Sequence, residues 1–184
     1  MKKLIVILLC MLMLTSCGTS SKTALGMISK RYAAGNDMTD EGRAETKTTC
    51  CTLTLDEKGT VLNISVDMVK SDFDIDSNGV ITNDIAEKLY TNKELKDEVG
   101  YKRFSKLGKE WYEQVESFEK WAIGKNINDV LNAEHEELPE DSKEEPLSAF
   151  VDMDLTDILE AVEKAYAQIQ AEFDAENSKE DKKE

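Results

Sequence analysis

Hydrophobic and polar residues change period about halfway along the chain. Over residues 46–55 and 60–69 the apolar side chains alternate, with Leu53 and Leu55 on the first run and Leu62, Ile64, Val66 and Met68 on the second. Alternation gives each run one apolar face, as expected of a half-buried strand. The turn-forming sequence Asp56-Glu57-Lys58-Gly59 joins them, which predicts a β-hairpin. A second reversal is expected at Ser77-Asn78-Gly79, between Phe73 and Ile75 on one side and Val80 and Ile81 on the other. Residues 24–32 read as a first strand weakened by Gly26, and residues 33–45, with Gly35 and Gly42, as a connection.

The C-terminal half follows a helical period. Thr91-x-x-Glu94 is a capping box opening a short helix, for which Gly100 supplies an exit. Over residues 109–123, Trp111, Val115, Phe118 and Ala122 form one apolar stripe that ends at Gly124, and core packing is its plain reading. Asn126 caps a further short helix with Asp129 near its positive end. Residues 133–146 are acidic and hold both prolines, as an exposed loop would. Residues 147–154 alternate as a last strand, and Leu155, Ile158, Leu159, Val162, Tyr166, Ile169 and Phe173 mark a long amphipathic helix, followed by a disordered tail over 174–184. These elements predict one α+β domain over residues 24–173, an antiparallel sheet of about four to six strands covered on one face by helices, the long C-terminal helix among them.

The N-terminus changes the setting of that domain. Met1-Lys2-Lys3 is followed by an apolar run over residues 4–14 and then by Leu14-Thr15-Ser16-Cys17. The run is shorter than the roughly 20 apolar residues of a spanning helix, and the small residues after it suit a peptidase. Residues 1–16 therefore read as a cleaved lipoprotein signal peptide and Cys17 as the lipidation site, carrying a diacylglyceryl group. Residues 17–23 read as a flexible tether. Two acyl chains hold a protein where one gives only marginal binding. The expected location is the extracytoplasmic face of the cell membrane.

The net charge of -15 becomes two units more negative when Lys2 and Lys3 leave with the leader. That excess argues against nucleic acid as a partner and against adhesion to an anionic lipid surface, so attachment falls to the lipid.

Few residues suggest chemistry. Cys50 and Cys51 are neighbours, with Cα atoms about 3.8 Å apart, below the range of about 4.4 to 6.8 Å that a disulfide prefers. Two free thiols on opposite faces of a strand are expected. Asp74-Ile75-Asp76-Ser77-Asn78-Gly79 matches the first half of a calcium loop, with Asp74, Asp76 and Asn78 as candidate ligands, but position twelve is Ile85 instead of a bidentate glutamate. The same residues also suit a polar turn. The single histidine, His135, lies in the acidic loop, and no catalytic constellation or phosphate loop is present, so an enzyme is not expected.

The turn segment from Leu53 to Gly59, the stretches Gly79-Val80-Ile81-Thr82-Asn83-Asp84 and Thr91-Asn92-Lys93-Glu94-Leu95, and above all Gly108-Lys109-Glu110-Trp111-Tyr112-Glu113-Gln114 with Trp121-Ala122-Ile123-Gly124-Lys125 and Asp129-Val130, carry a resemblance. Together they resemble a family of uncharacterised lipoproteins common in clostridia and related Gram-positive bacteria. Some of its members are similar to FMN-binding domains of surface electron-transfer proteins. The leader, the fold and the absence of catalytic residues together lead to the expectation of a lipid-anchored module that captures a small ligand or a protein partner. A flavin-dependent redox lipoprotein and a structural envelope protein are the alternatives. The motif used for covalent flavin attachment is not present, so the resemblance implies FMN held without a covalent bond, with Trp111, Tyr112 and Trp121 as candidate stacking residues.

Overall fold

The computed structural model describes residues 20–36, 41–83, 86–133 and 145–180. The leader with Cys17, Asp84, Ile85, His135 and most of the acidic loop lie outside the described residues.

Three long strands, β1 (Ser21–Asn36), β2 (Glu41–Asp56) and β3 (Val61–Ile75), form one antiparallel sheet in the order β1-β2-β3. The predicted hairpin is present as β2 and β3 and runs further than its alternating core. Residues 33–45, expected as a connection, are mostly strand instead, because β1 and β2 stay in register from Ser21↔Asp56 to Asn36↔Glu41. Strand β1 also begins inside the stretch expected to be a tether.

The expectation of four to six strands is corrected to three among the described residues. Val80-Ile81 contributes one isolated bridge, Ile75↔Ile81, and the alternating segment before the last helix has a 3-10 turn at Leu147–Ala149 followed by irregular chain. Its apolar residues Leu147, Val151 and Met153 are nonetheless buried.

The β2–β3 turn has a simple physical basis. Gly59 N–H donates to the Asp56 carbonyl (3.0 Å), Asp56 N–H donates to the Thr60 carbonyl (3.1 Å), and Asp56 Oδ1 accepts from Lys58 N–H and Thr60 N–H. Gly59 sits at φ 78°, where a side chain would be strained.

Among the described residues four α-helices follow: α1 (Asn92–Leu95), α2 (Trp111–Ala122), α3 (Ile127–Leu131) and α4 (Thr156–Glu180). The capping box at Thr91 and Glu94 is formed, Asn126 caps α3 by accepting from Asn128 N–H, and Gly100 and Gly124 take positive φ where α1 with its 3-10 extension and α2 end. Helix α4 continues to Glu180, past the residue at which its apolar stripe stops, through helix formers such as Ala175 and Glu176.

All of this packs on one face of the sheet. The register sets Ala24 beside Leu53 and Ile64, and Cys51 beside Val66. These side chains, with Ile28, Leu55 and Val61, meet Ile158, Val162 and Ile169 of α4 and Val115 and Phe118 of α2 in a single core. Helix α4 lies over β1 and β2, and α2 over β3. Gly26 allows α4 to approach closely: an added Cβ would stand 1.8 Å from the Ala161 carbonyl oxygen and 2.7 Å from Ala165 N. Lys22–Glu176 and Lys30–Asp157 ion pairs flank that contact. The opposite face of the sheet stays open, with Leu25 and Met27 exposed beside hydroxyl pairs such as Thr23···Thr54 and Ser29···Thr48.

Several backbone groups at the outer strands find partners outside the sheet. On β1, Gln168 Nε2 donates to the Leu25 carbonyl (2.9 Å) and Lys164 Nζ to the Met27 carbonyl (3.1 Å). On β3, Glu119 Oε1 accepts from Val66 N–H (2.6 Å) and from Lys93 Nζ (2.6 Å), and Val61 exchanges backbone bonds with Gly124 and Lys125. An unpaired strand edge invites another chain, and these contacts remove part of that opportunity.

Candidate functional site

The upper part of the sheet extends past the start of α4 and floors a cleft of about 570 Å3. Strand register decides its chemistry. Lys30 pairs with Lys47 and Lys47 with Lys70, so three ammonium groups from three strands stand in one row on the helix-bearing face. Like charges directly opposite each other are unfavourable, and the row persists through its carboxylate partners. Lys30 Nζ lies 2.8 Å from Asp157 Oδ1 and 2.7 Å from Glu160 Oε1, and these two partners raise its pKa well above that of an ordinary lysine. Lys47 and Lys70 share Glu45, at 3.4 Å and 2.6 Å. Burial alone would raise the Glu45 carboxyl, but Lys70 and Lys47 together bring it below the ordinary range. Lys47 also lies over the Tyr32 ring, 5.0 Å from its centroid.

One wall is the start of α4. Asp154 Oδ1 accepts from the hydroxyl (2.6 Å) and the N–H (2.8 Å) of Thr156, and those bonds hold its carboxyl below the usual value. The other wall is aromatic, made by Tyr101 and Phe104 beside Trp111. Phe104 is 70% exposed at the rim, with the Arg103 guanidinium 4.7 Å from its centroid. Burial raises the Tyr101 phenol, and Asp152 and Asp154 add to the effect.

Buried polar side chains fix both walls. Glu110, at the start of α2, accepts from Tyr101 N–H (2.8 Å) and Lys102 N–H (3.2 Å), while its own N–H donates to Glu113 (2.7 Å). Gln114 is fully buried: its Oε1 accepts from Asp152 N–H (2.8 Å) and Met153 N–H (3.0 Å), and its Nε2 donates to Ser105 Oγ (3.2 Å). Ser105 and the Leu107 N–H both donate to the Asp152 carboxylate. The irregular backbone around the cleft is thereby held by named bonds, a condition for binding without a large ordering cost.

The residues singled out from sequence are dispersed. Trp111 lines the cleft but is largely buried in its wall. Tyr112 is partly exposed beside it, its phenol raised by burial and by Asp97. Trp121 stacks on Phe118 at 6.0 Å near the far end of α2, with Lys125 4.8 Å from its ring centroid. At about 1.5 Å per residue, Trp111 and Trp121 are about 15 Å apart along the helix, so the three aromatics do not share a site.

Asp74, Asp76 and Asn78 belong to a turn bonded like the one at Asp56. Asp76 Oδ1 accepts from Asn78 N–H (2.9 Å) and Val80 N–H (2.8 Å), Asp76 N–H donates to the Val80 carbonyl, and Gly79 takes φ 80°. Turn chemistry accounts for this sequence, as it does at the first hairpin. Among the described residues, no group of three or more His, Cys, Asp or Glu side chains is arranged to hold a metal ion.

Cys50 and Cys51 are both free thiols on opposite faces of β2, Cys51 fully buried and Cys50 partly so. Burial, with Glu119 nearby, pushes the Cys51 thiol up to about 12, and burial and Asp67 raise Cys50. Neither is poised as a nucleophile.

A second cavity of about 580 Å3 lies at the opposite end of the sheet, between the Asp56–Thr60 turn and the later turns of α4. Its polar groups are largely engaged: Asp56 holds the turn, and Asn126 caps α3 and donates to the Lys58 carbonyl.

Compared with protein-family models, with curated proteins and with solved structures, the chain matches none.

Proposed function

We propose that this protein is a lipid-anchored binding module of the extracytoplasmic face, attached to membrane lipid through a diacylglyceryl group on Cys17 and holding a small ligand in the cleft above the lysine row. The attachment is supported by the leader and by Leu14-Thr15-Ser16-Cys17. Among the described residues no helix is long and apolar enough to cross a membrane. The resemblance to Gram-positive lipoproteins agrees with the same reading. Strand β1 begins at Ser21, and Lys30 stands nine residues further on, about 30 Å away at the strand rise of about 3.3 Å per residue. Such a geometry carries the cleft away from the anchored end.

The observation that carries the binding reading is the cleft itself. Its volume falls in the range typical of small-molecule sites, and Glu110 and Gln114 pre-form its walls. Two measurements test the proposal. Cells fed a clickable palmitate analogue should label the wild-type chain and not Cys17→Ser. Native mass spectrometry of the chain purified from its own host should show an added non-covalent mass that Tyr101→Ala with Phe104→Ala removes. An unlabelled wild-type chain refutes the anchor, and a bare mass in every preparation refutes the binding role.

The aromatic wall of Tyr101, Phe104 and Trp111 favours one alternative, non-covalent FMN stacked in the same cleft. Visible absorbance and quenched flavin fluorescence on titration would support it, and a flat titration would exclude it.

A further inference from the structure

The open face of the sheet differs in charge from the chain as a whole. Charged residues make up 33% of the sequence, yet over the rows from Thr23 to Ala33 of β1 this face carries only Arg31 and Asp67, of opposite sign. Asp67 Oδ1 is turned to the outer edge of β3, where it accepts from Met68 N–H and Lys93 N–H. Leu25 and Met27 are 55% and 54% exposed on β1, and their neighbours on the central strand are the short Thr52 and Cys50. Two copies with a net charge of -15 repel each other, and a neutral face lets them meet without setting like charges opposite.

Strand register also makes this face complementary to itself. A two-fold axis running along β2 sets β1 of one copy over β3 of the other and leaves each row opposite the same row. Leu25 then meets Ser65, Arg31 meets Ser71 and Phe73 meets Ala33, a long side chain against a short one each time. At the last of these rows a shallow hollow of about 480 Å3, lined by Ala33 and Ala44, leaves room for the Phe73 ring of the second copy. Strand β1 starts four residues after Cys17, and the same axis puts both β1 starts at one end of the pair, as attachment to a single bilayer requires. Three strands about 4.8 Å apart, over about ten residues of about 3.3 Å each, make a face of about 500 Å2, or about 1,000 Å2 for the pair. That area is at the lower bound of a specific interface, and confinement of both copies to one membrane lowers the cost of meeting.

We propose that the open face is the interface of a two-fold dimer, sheet against sheet, formed by two copies of this chain on the same membrane. The pairing closes at two, because each copy has one such face to give. Phe73 is the one aromatic ring on these rows, so the face offers a flat wall glycan little to stack on.

Native mass spectrometry and light scattering of the acylated full chain, with detergent micelles in excess over protein, test the pairing across a concentration series. A dimer should form with a Kd of about 1–100 μM and revert to monomer on dilution. Thr52→Lys sets two ammonium groups across the axis and should raise that Kd by about tenfold or more, whereas Ser178→Lys near the end of α4 should leave it unchanged. Thr52 is exposed, so the dilute variant should melt at the Tm of the dilute wild type, which separates a lost interface from a lost fold. A dimer that persists in Thr52→Lys reflects a shared micelle or another surface and overturns the assignment. A wild-type chain that stays monomeric throughout overturns it as well, and sedimentation of that monomer with isolated cell walls, abolished by Thr52→Lys, would give the face to glycan instead.

Discussion

Replacing Gly26 by alanine should destabilise the protein far more than a one-carbon change in a strand ordinarily does. The added Cβ would stand 1.8 Å from the Ala161 carbonyl oxygen, 2.9 Å from its carbonyl carbon and 2.7 Å from Ala165 N, where normal contact begins near 3.4 Å. All three obstacles are helix backbone, so no side chain can rotate out of the way. Helix α4 would have to lift by more than about 1 Å while Lys22–Glu176 and Lys30–Asp157 hold it on either side, and the lift would loosen Ile158, Val162 and Ile169 in the core. Overpacking costs about 1–3 kcal/mol, loosened neighbours add to it, and the better strand propensity of alanine returns less than about 1 kcal/mol. A net loss of about 2–4 kcal/mol is expected, which for a domain of this size lowers Tm by about 5–15 °C. Urea and thermal unfolding of Gly26→Ala measure it, with Leu25→Thr on the open face as a control expected to stay within about 0.5 kcal/mol. A Gly26→Ala protein as stable as wild type would show that α4 is not seated on the β1 backbone.

Further outcomes follow from individual contacts. Gln114→Leu keeps the volume but leaves the Asp152 and Met153 N–H groups without their acceptor, and urea titration should show a loss of about 2–5 kcal/mol; a loss under about 1 kcal/mol would mean that another acceptor replaces it. Backbone N–H of Thr60 lowers the Asp56 carboxyl and the Thr156 hydroxyl lowers Asp154, so their folded pKa values lie below the unfolded ones. Their stabilisation is complete above the ordinary carboxylate value and disappears as pH falls through the folded one. Tm should therefore hold steady near neutrality and drop below about pH 4, less steeply in Asp56→Asn; equal acid slopes for the two proteins would contradict the assignment. With Cys17 acylated, a disulfide-exchange reagent at pH 8 should modify Cys50 slowly and Cys51 only on unfolding, since burial keeps the Cys51 thiol near 12. Equal rates for both thiols in the native protein would refute that burial.

The parts of the fold that could be read from sequence are those where local pattern and tertiary role agree. Leu53, Leu55, Ile64 and Val66 alternate because they face the helices, and Asp56 with Gly59 both breaks the pattern and makes the turn. Gly26 misled because its strand-weakening character is offset by a helix backbone lying against it, a long-range contact with no local trace. Residues 33–45 misled because the ladder there continues beyond the helical cover, so neither face needs to be apolar. The alternation of Leu147, Val151 and Met153 reflects burial, but the backbone N–H groups of Asp152 and Met153 go to Gln114, so the segment is not a strand. The cleft was the least legible element. Trp111 was visible as one apolar position in a helix, whereas Lys30, Lys47 and Lys70 look like three unrelated surface lysines until the register of two strand pairs aligns them.

The carboxylate of Glu119 has a further consequence. A newcomer polypeptide trying to zip onto β3 at Val66 would need to evict an oxygen that also clasps an ammonium group, and on β1 it would have to strip two carbonyls of their side-chain donors. Molecules crowded together would therefore find these margins already plugged, and at these positions fibril-like growth from one copy to the next has no ready foothold.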